Sequence, residues 1–226
     1  MSNVLERLAP RPYSSYFMKR SLLLIPFTAL VASFGTSAAA STMSAYAACN
    51  ENSLAIVQMP PFKDLVPSKI EDGQIKLSGG AKNDMGQRWM FAKPVVVDGM
   101  TLTGFFAEDI DLMGTRIINW GFYSEQMPAE LRAQLAKVDG PKMEDAGGVY
   151  AHAQVWSHSK SAWQLESASS NSGKLVVDTA ERVFLIEPAP EDLPKNNKGM
   201  LNCSIQGNIS QVMLKTSRPD LASTAK

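Results

Sequence analysis

Short apolar runs separated by turn residues dominate the chain after residue 50. Several runs alternate apolar and polar positions, and Gly, Pro, Asn or Asp recurs between them at intervals of roughly 8–12 residues. This pattern is typical of an antiparallel β-sandwich or β-barrel, here of about ten strands. The predicted strands are 53–59, 74–78, 93–97, 100–106, 115–123, 147–156, 162–167, 173–178, 182–187, 200–206 and 210–215.

The clearest hairpin is centred on Asp98-Gly99, a two-residue turn between two apolar runs. Such a turn favours the type I′ geometry, which needs positive φ at both residues. Strict alternation then places Met100, Leu102, Gly104 and Phe106 on one face of the second strand and Thr101, Thr103 and Phe105 on the other.

One helix interrupts the strands, at about 127–139. Pro128 suits the first turn of a helix, and Gly140-Pro141 is a typical stop signal. Leu131, Leu135 and Val138 recur at helical spacing, so we expect this helix to pack one apolar stripe against the sheet.

The first forty residues resemble no part of such a domain. Lys19 and Arg20 precede the apolar run 21–34, and small residues follow up to Ala40. This order predicts a secretory signal peptide over 1–40, cleaved near Ala40 or, alternatively, near Ala47. The run is short for a bilayer span, which needs roughly 20 apolar residues. An uncleaved N-terminal anchor and a true start at Met18 remain alternatives.

Composition is consistent with one folded domain, predicted at 49–215, followed by a mobile tail at 216–226. The 226 residues are 45% apolar, which is enough for a core, and their formal net charge is zero. Losing residues 1–40 removes four basic residues and one acidic residue, so the mature chain is mildly acidic. This charge argues against a nucleic-acid-binding protein.

The only cysteines, Cys49 and Cys203, enclose nearly the whole predicted domain. An oxidising compartment would let them form a disulfide, which we expect to tie the first strand to the last hairpin. Export to the periplasm or the medium is therefore the expected localisation. Two alternatives stay open: lipid attachment to Cys49 after Ala47-Ala48, and two reduced thiols.

The strand near residue 150 is the best candidate for a binding face. Val149, Ala151, Ala153 and Val155 form its small side, which should pack against the core. The other side predicts a ligand- or partner-binding surface made for stacking and hydrogen bonding. Its residues are Tyr150, His152, Gln154, Trp156 and His158. The alternative is a solvated or cross-strand-paired sheet face.

Metal and enzyme signatures are weak. His152 and His158 would lie roughly 20 Å apart on one strand, and the sequence has no third histidine, so no metal site and no cofactor are predicted. Glu108, Asp109 and Asp111 lack the spacing of a calcium loop and favour a solvated turn. The usual nucleophile-elbow, phosphate-loop and zinc-protease motifs are missing.

The aromatic residues are concentrated in the middle of the chain. All four tryptophans, Trp89, Trp120, Trp156 and Trp163, lie there, and they indicate either a large core or the lining of an apolar ligand cavity. We therefore expect an exported binding or accessory protein of the cell envelope. Its partner would be an envelope protein or a small apolar or glycan ligand. The alternative is a small hydrolase of envelope material, for which Glu108 or Asp111 with Glu166 would be an arbitrary acid pair.

Overall fold

The computed structural model describes residues 41–165 and 179–223, which form a mainly β, antiparallel domain with few helices. The strands are β1 Ser68–Glu71, β2 Gln74–Leu77, β3 Ala81–Lys82, β4 Gly86–Val97, β5 Met100–Leu112, β6 Thr115–Ser124, β7 Glu144–Asp145, β8 Tyr150–Ser157, β9 Ala162–Leu165, β10 Ala180–Pro188 and β11 Gly199–Gly207. The helices are α1 Thr42–Ala47, α2 Pro128–Lys137 and α3 Gln211–Lys215. Short 3-10 segments cover Ser53–Gln58, Phe62–Asp64 and Pro219–Leu221.

Nine strands form the main sheet in the order β3-β4-β5-β6-β11-β10-β8-β7, with β9 also paired to β8. β1 and β2 form a separate two-stranded sheet. Every pairing is antiparallel. The predicted fold class, mainly β and antiparallel, is confirmed, and α2 corresponds to the predicted helix, while α1 and α3 were not predicted. The backbone N–H of Met127 donates to Glu130 at 2.7 Å, which helps explain why α2 begins at Pro128.

The hairpin at Asp98-Gly99 is present, with positive φ at both residues. The alternation expected beyond it is wrong, because β5 contains a register shift between Leu102 and Gly104. One extra residue there turns Phe105, rather than Phe106, to the face that carries Leu102. A bulge of this kind leaves no reliable mark in a pattern of apolar residues.

One face of the main sheet packs against α1 and the neighbouring 3-10 segments. The hydroxyl of Tyr46 donates to the Trp120 carbonyl at 2.8 Å, and its ring packs edge-on against Phe122 and Phe184. Phe62 adds a further ring 4.7 Å from Phe122. Because these rings lie over β6, β11 and β10, the first described helix covers the centre of the sheet.

Two predicted strands are helical instead. Residues 53–59 form mainly a buried 3-10 segment, and 210–215 form α3, where the Ser210 hydroxyl accepts from the Met213 N–H at 3.4 Å. Apolar runs of six or seven residues suit a buried helix turn as well as a strand, so periodicity does not separate the two. The predicted strand 173–178 lies outside the described residues.

Residues 216–223, which were expected to belong to a mobile tail, pack against the rest of the domain. Ser217 and Asp220 are buried, and Arg218 pairs with Asp220 through two contacts of 2.8 Å. The Arg218 guanidinium also lies over the Trp120 ring at 5.2 Å. Lys76 on β2 donates to the Asp220 carbonyl at 2.7 Å, so this segment is fixed to both sheets.

Cys49 and Cys203 form a disulfide across 154 residues. Cys203 lies in the middle of β11, within the predicted strand 200–206, whereas Cys49 follows α1 and is not in a strand. Because its sulfur is bonded to Cys203, Cys49 cannot carry a lipid in this state. The lipoprotein alternative is therefore incompatible with this structure.

Candidate functional site

The residues predicted as a binding face lie mostly on β8. We expected the small side of this strand to meet the core, but the side that carries the predicted binding residues does so instead. In the ladder with β10, Tyr150 pairs with Ile186, His152 with Phe184 and Gln154 with Arg182. Directly paired residues share a face, so these side chains point toward the helical layer. The small side of β8, which was expected to meet the core, is turned away and only half-buried. This orientation buries more apolar area, since Tyr and Trp offer much more of it than Ala.

Tyr150 and Trp156 belong to the core, with 8% and 6% of their surfaces exposed. Trp156 packs edge-on against Trp163 at 5.2 Å, and Trp89 and Trp120 are also buried. These rings act as packing groups rather than as an open stacking surface. His158 lies in the turn after β8, away from the other four residues.

His152 and Gln154 line a cleft of about 370 Å³ between β8, β10 and the end of α1. Its walls include a residue that we did not predict, Arg182, and several groups from distant segments. The lining residues are Ser44, Ala47, Ala48, Asn50, Asp139, Pro141, His152, Gln154 and Arg182.

Arg182 is the most unusual group in this cleft. Its side chain is almost fully buried, at 8% residue exposure, and its Nε and Nη2 donate to Gln154 Oε1 at 2.8 and 2.6 Å. Nη1 donates to Ser217 Oγ at 3.1 Å, and the guanidinium lies 4.9 Å from the Trp163 ring centre. Nη1 also lies within hydrogen-bond distance of the Cys49 and Thr216 carbonyl oxygens, at 3.5 and 3.4 Å. Of the five N–H donors of an arginine, one Nη2–H therefore has no partner among the described residues.

The charge of Arg182 has no close opposite charge. In residues 41–165 and 179–223, no carboxylate lies within 4 Å of its nitrogens. Burial lowers the pKa of Arg182 to about 10, and the negative charge of Glu51 only partly opposes this. The guanidinium therefore remains positive at neutral pH, in surroundings that solvate it poorly.

The two side-chain amides of the cleft, those of Gln154 and Asn50, have hydrogen-bond donors to spare. The carbonyl oxygens of the Gln154 and Asn50 side chains accept from Arg182 and from the Asn52 N–H. Their amide nitrogens have no partner among the described residues. His152 Nδ1 lies 3.1 Å from the Lys142 carbonyl, which can only accept, so Nδ1 carries a proton and Nε2 of the neutral ring is an acceptor.

No family model, no curated protein and no solved structure matches this chain. The cleft is therefore interpreted from its own geometry and charge. A buried cation and two amide donors favour an anion with acceptor oxygens, such as a carboxylate. Asp139, the acidic residue of the lining, is exposed.

The acidic run on β5 takes part in local structure. Glu108 accepts from Asn119 at 3.2 Å, Asp109 pairs with Arg116 at 2.7 Å, and Asp111 accepts from the Gly114 N–H at 2.8 Å. In the described part of the chain, no three His, Cys, Asp or Glu side chains form a group that could hold a metal ion. Glu166, the other acid considered for a hydrolase, lies outside the described residues, so that pairing gains no support.

Proposed function

We propose that this protein is an exported binding protein that holds a small carboxylate-bearing ligand in the cleft formed by Arg182, Gln154, His152 and Asn50. The buried and unneutralised charge of Arg182 carries the proposal. Burying a cation without a partner costs free energy, and a bound carboxylate would offset that cost through charge-assisted hydrogen bonds.

The size of the cleft supports a small ligand rather than a protein partner. About 370 Å³ lies within the range of small-molecule sites, roughly 300–1,000 Å³. The aromatic residues first expected to contact a partner, Tyr150 and Trp156, are buried. Recognition would therefore depend on charge and hydrogen bonding more than on stacking.

Export is supported by the N-terminal sequence pattern and by the disulfide, which forms in oxidising compartments. No helix in the described ranges is long and apolar enough to span a membrane. The packing of α1 favours the earlier cleavage position. Met43 and Tyr46 are buried, and the Met43 N–H donates to Asp98 at 2.8 Å. Cleavage after Ala47 would remove these groups from the core.

The mature protein recovered from the envelope or the medium is expected to begin near Ser41 and to carry the disulfide. Intact-mass spectrometry without reductant should therefore give the mass of the chain from about Ser41, less two hydrogen atoms. A chain that begins after Ala47 would contradict the earlier cleavage position, and one that keeps residues 1–40 and both thiols would contradict the export proposal.

Carboxylate binding is tested by Gln154→Glu, which places an internal counter-ion beside Arg182. The new carboxylate can accept the same two bonds from Arg182, so the fold should be retained while the net attraction for anions is lost. We expect saturable shifts of the Gln154 side-chain NMR signals when acetate is added to the wild-type protein. In the variant, binding is followed through the NMR signals of the His152 ring. The affinity for acetate should fall at least about tenfold, which corresponds to the loss of one hydrogen bond to a charged group.

Arg116→Gln is the matched control, because Arg116 is paired with Asp109 at the surface, outside the cleft. Its affinity for acetate should equal that of the wild type, and methylammonium at equal ionic strength should not bind the wild type at the cleft. Unchanged acetate binding by Gln154→Glu, or no saturable binding by the wild type, would reject the proposed function.

A further inference from the structure

A second hollow of about 300 Å³ adjoins the cleft, and Asp139 and Pro141 line both. This second hollow lies between the end of α2 and the segment that leads to β7. Its lining residues are Arg132, Ala136, Asp139, Gly140, Pro141, Lys142 and Met143. We call it the outer hollow, and the Arg182 cleft the inner hollow.

The outer hollow contains two more cations, Arg132 and Lys142. Neither has a carboxylate within 4 Å in the part of the chain that the structure describes. Arg132 is nevertheless held in place, because its guanidinium lies 4.9 Å from the Tyr150 ring centre. The outer hollow therefore has a positioned positive charge, although both side chains are exposed.

The two hollows are also connected through hydrogen bonding and through β8. His152 of the inner hollow contacts the Lys142 carbonyl of the outer hollow at 3.1 Å. Arg132 rests on Tyr150 at the start of β8, and Arg182 is bonded to Gln154 four positions further along the same strand. The two arginines thus contact side chains on the same face of β8, four positions apart.

We propose that the ligand is an extended dicarboxylate, with one carboxylate in each hollow. This inference rests on the proposed function and names the class of its ligand. Tyr150 and Gln154 are four strand positions apart, which spans on the order of 13 Å. With this spacing taken as the separation of the two guanidinium groups, a hydrogen bond of about 3 Å at each end leaves on the order of 7 Å between the two carboxylates. Asp139 lines both hollows. Its carboxylate would repel a negative charge placed between them, so the middle of the ligand carries none.

Pimelate, heptanoate and succinate test this class. Pimelate and heptanoate have chains of the same length, but only pimelate has a second carboxylate, and succinate is too short to reach both hollows. With the wild-type protein, isothermal titration calorimetry should show pimelate binding about tenfold more tightly than heptanoate or succinate. The advantage of pimelate should shrink as sodium chloride is added, because the outer cations are exposed.

Arg132→Gln with Lys142→Gln should remove the advantage of pimelate and leave the affinity for heptanoate unchanged. Lys63→Gln with Lys69→Gln removes the same total charge outside the two hollows and should change neither affinity. Gln154→Glu should weaken both ligands.

The outcomes separate the two proposals. Equal affinities of the wild-type protein for pimelate and heptanoate, or an advantage that survives Arg132→Gln with Lys142→Gln, would overturn the dicarboxylate inference while the proposed function stands. Failure of every carboxylate to bind the wild-type protein would reject both.

Discussion

Replacing both cysteines by alanine, Cys49→Ala with Cys203→Ala, is expected to lower the free energy of unfolding by about 3–5 kcal/mol. The bond closes a loop of 154 residues, so its loss greatly enlarges the unfolded ensemble. Both side chains are also buried, so truncation leaves small cavities beside α1 and β11. Urea unfolding followed by tryptophan fluorescence measures the change.

Reductant provides the control for this prediction. It should bring the wild-type unfolding midpoint close to that of the double variant, and it should leave the variant itself unaffected. If the double variant unfolds at the wild-type midpoint, the disulfide does not contribute to stability as the loop length implies.

Gly121→Ala is expected to cost at least about 3 kcal/mol, or to prevent folding. Gly121 lies in β6 opposite Asn202 of β11, near the centre of the main sheet. An added Cβ would lie 2.0 Å from the Leu201 carbonyl oxygen and 2.8 Å from Phe106 Cζ. A backbone oxygen bound into the sheet cannot move aside without breaking the ladder, so β6 and β11 would have to separate.

Gly104→Ala is the matched comparison, because it adds the same methyl group to the neighbouring strand. There the nearest atoms are the Trp89 carbonyl oxygen at 2.9 Å and the flexible end of Met90 at 3.0 Å. We expect a smaller loss of stability for Gly104→Ala in the same urea experiment. Equal losses for the two variants would show that contact with the Leu201 backbone is not the cause.

The elements that sequence patterns predicted well are those whose structure is determined by residues close together in the chain. Asp98 and Gly99 specify their turn because both residues tolerate positive φ. Pro128 favours the first turn of the helix, and Gly140 favours its end. The apolar run at 53–59 lacks such a local signal, and at 210–215 the signal was Ser210, which caps α3 but was assigned to a strand. Their burial is decided by distant partners, and both became helical.

The site was predictable only in part, for the same reason. Alternation along β8 brought His152 and Gln154 to one side, but it could not show which side meets the helical layer. Arg182 faces Gln154 only through the pairing of β8 with β10. The one available signal was a basic residue at the start of an apolar strand. Asn50 reaches the cleft next to Cys49, which is bonded to β11, so its place depends on contacts more than 150 residues apart in sequence.

The position of α1 has a consequence for how a nascent chain matures. Tyr46 bonds to Trp120 and packs against Phe184, and it lies within reach of the Leu201 carbonyl. The earliest helix of the domain therefore finds its full set of neighbours only after the last strand has been synthesised. A polypeptide that stalls before Gly199 would leave these aromatic rings uncovered, which would make incomplete copies easy targets for proteolysis.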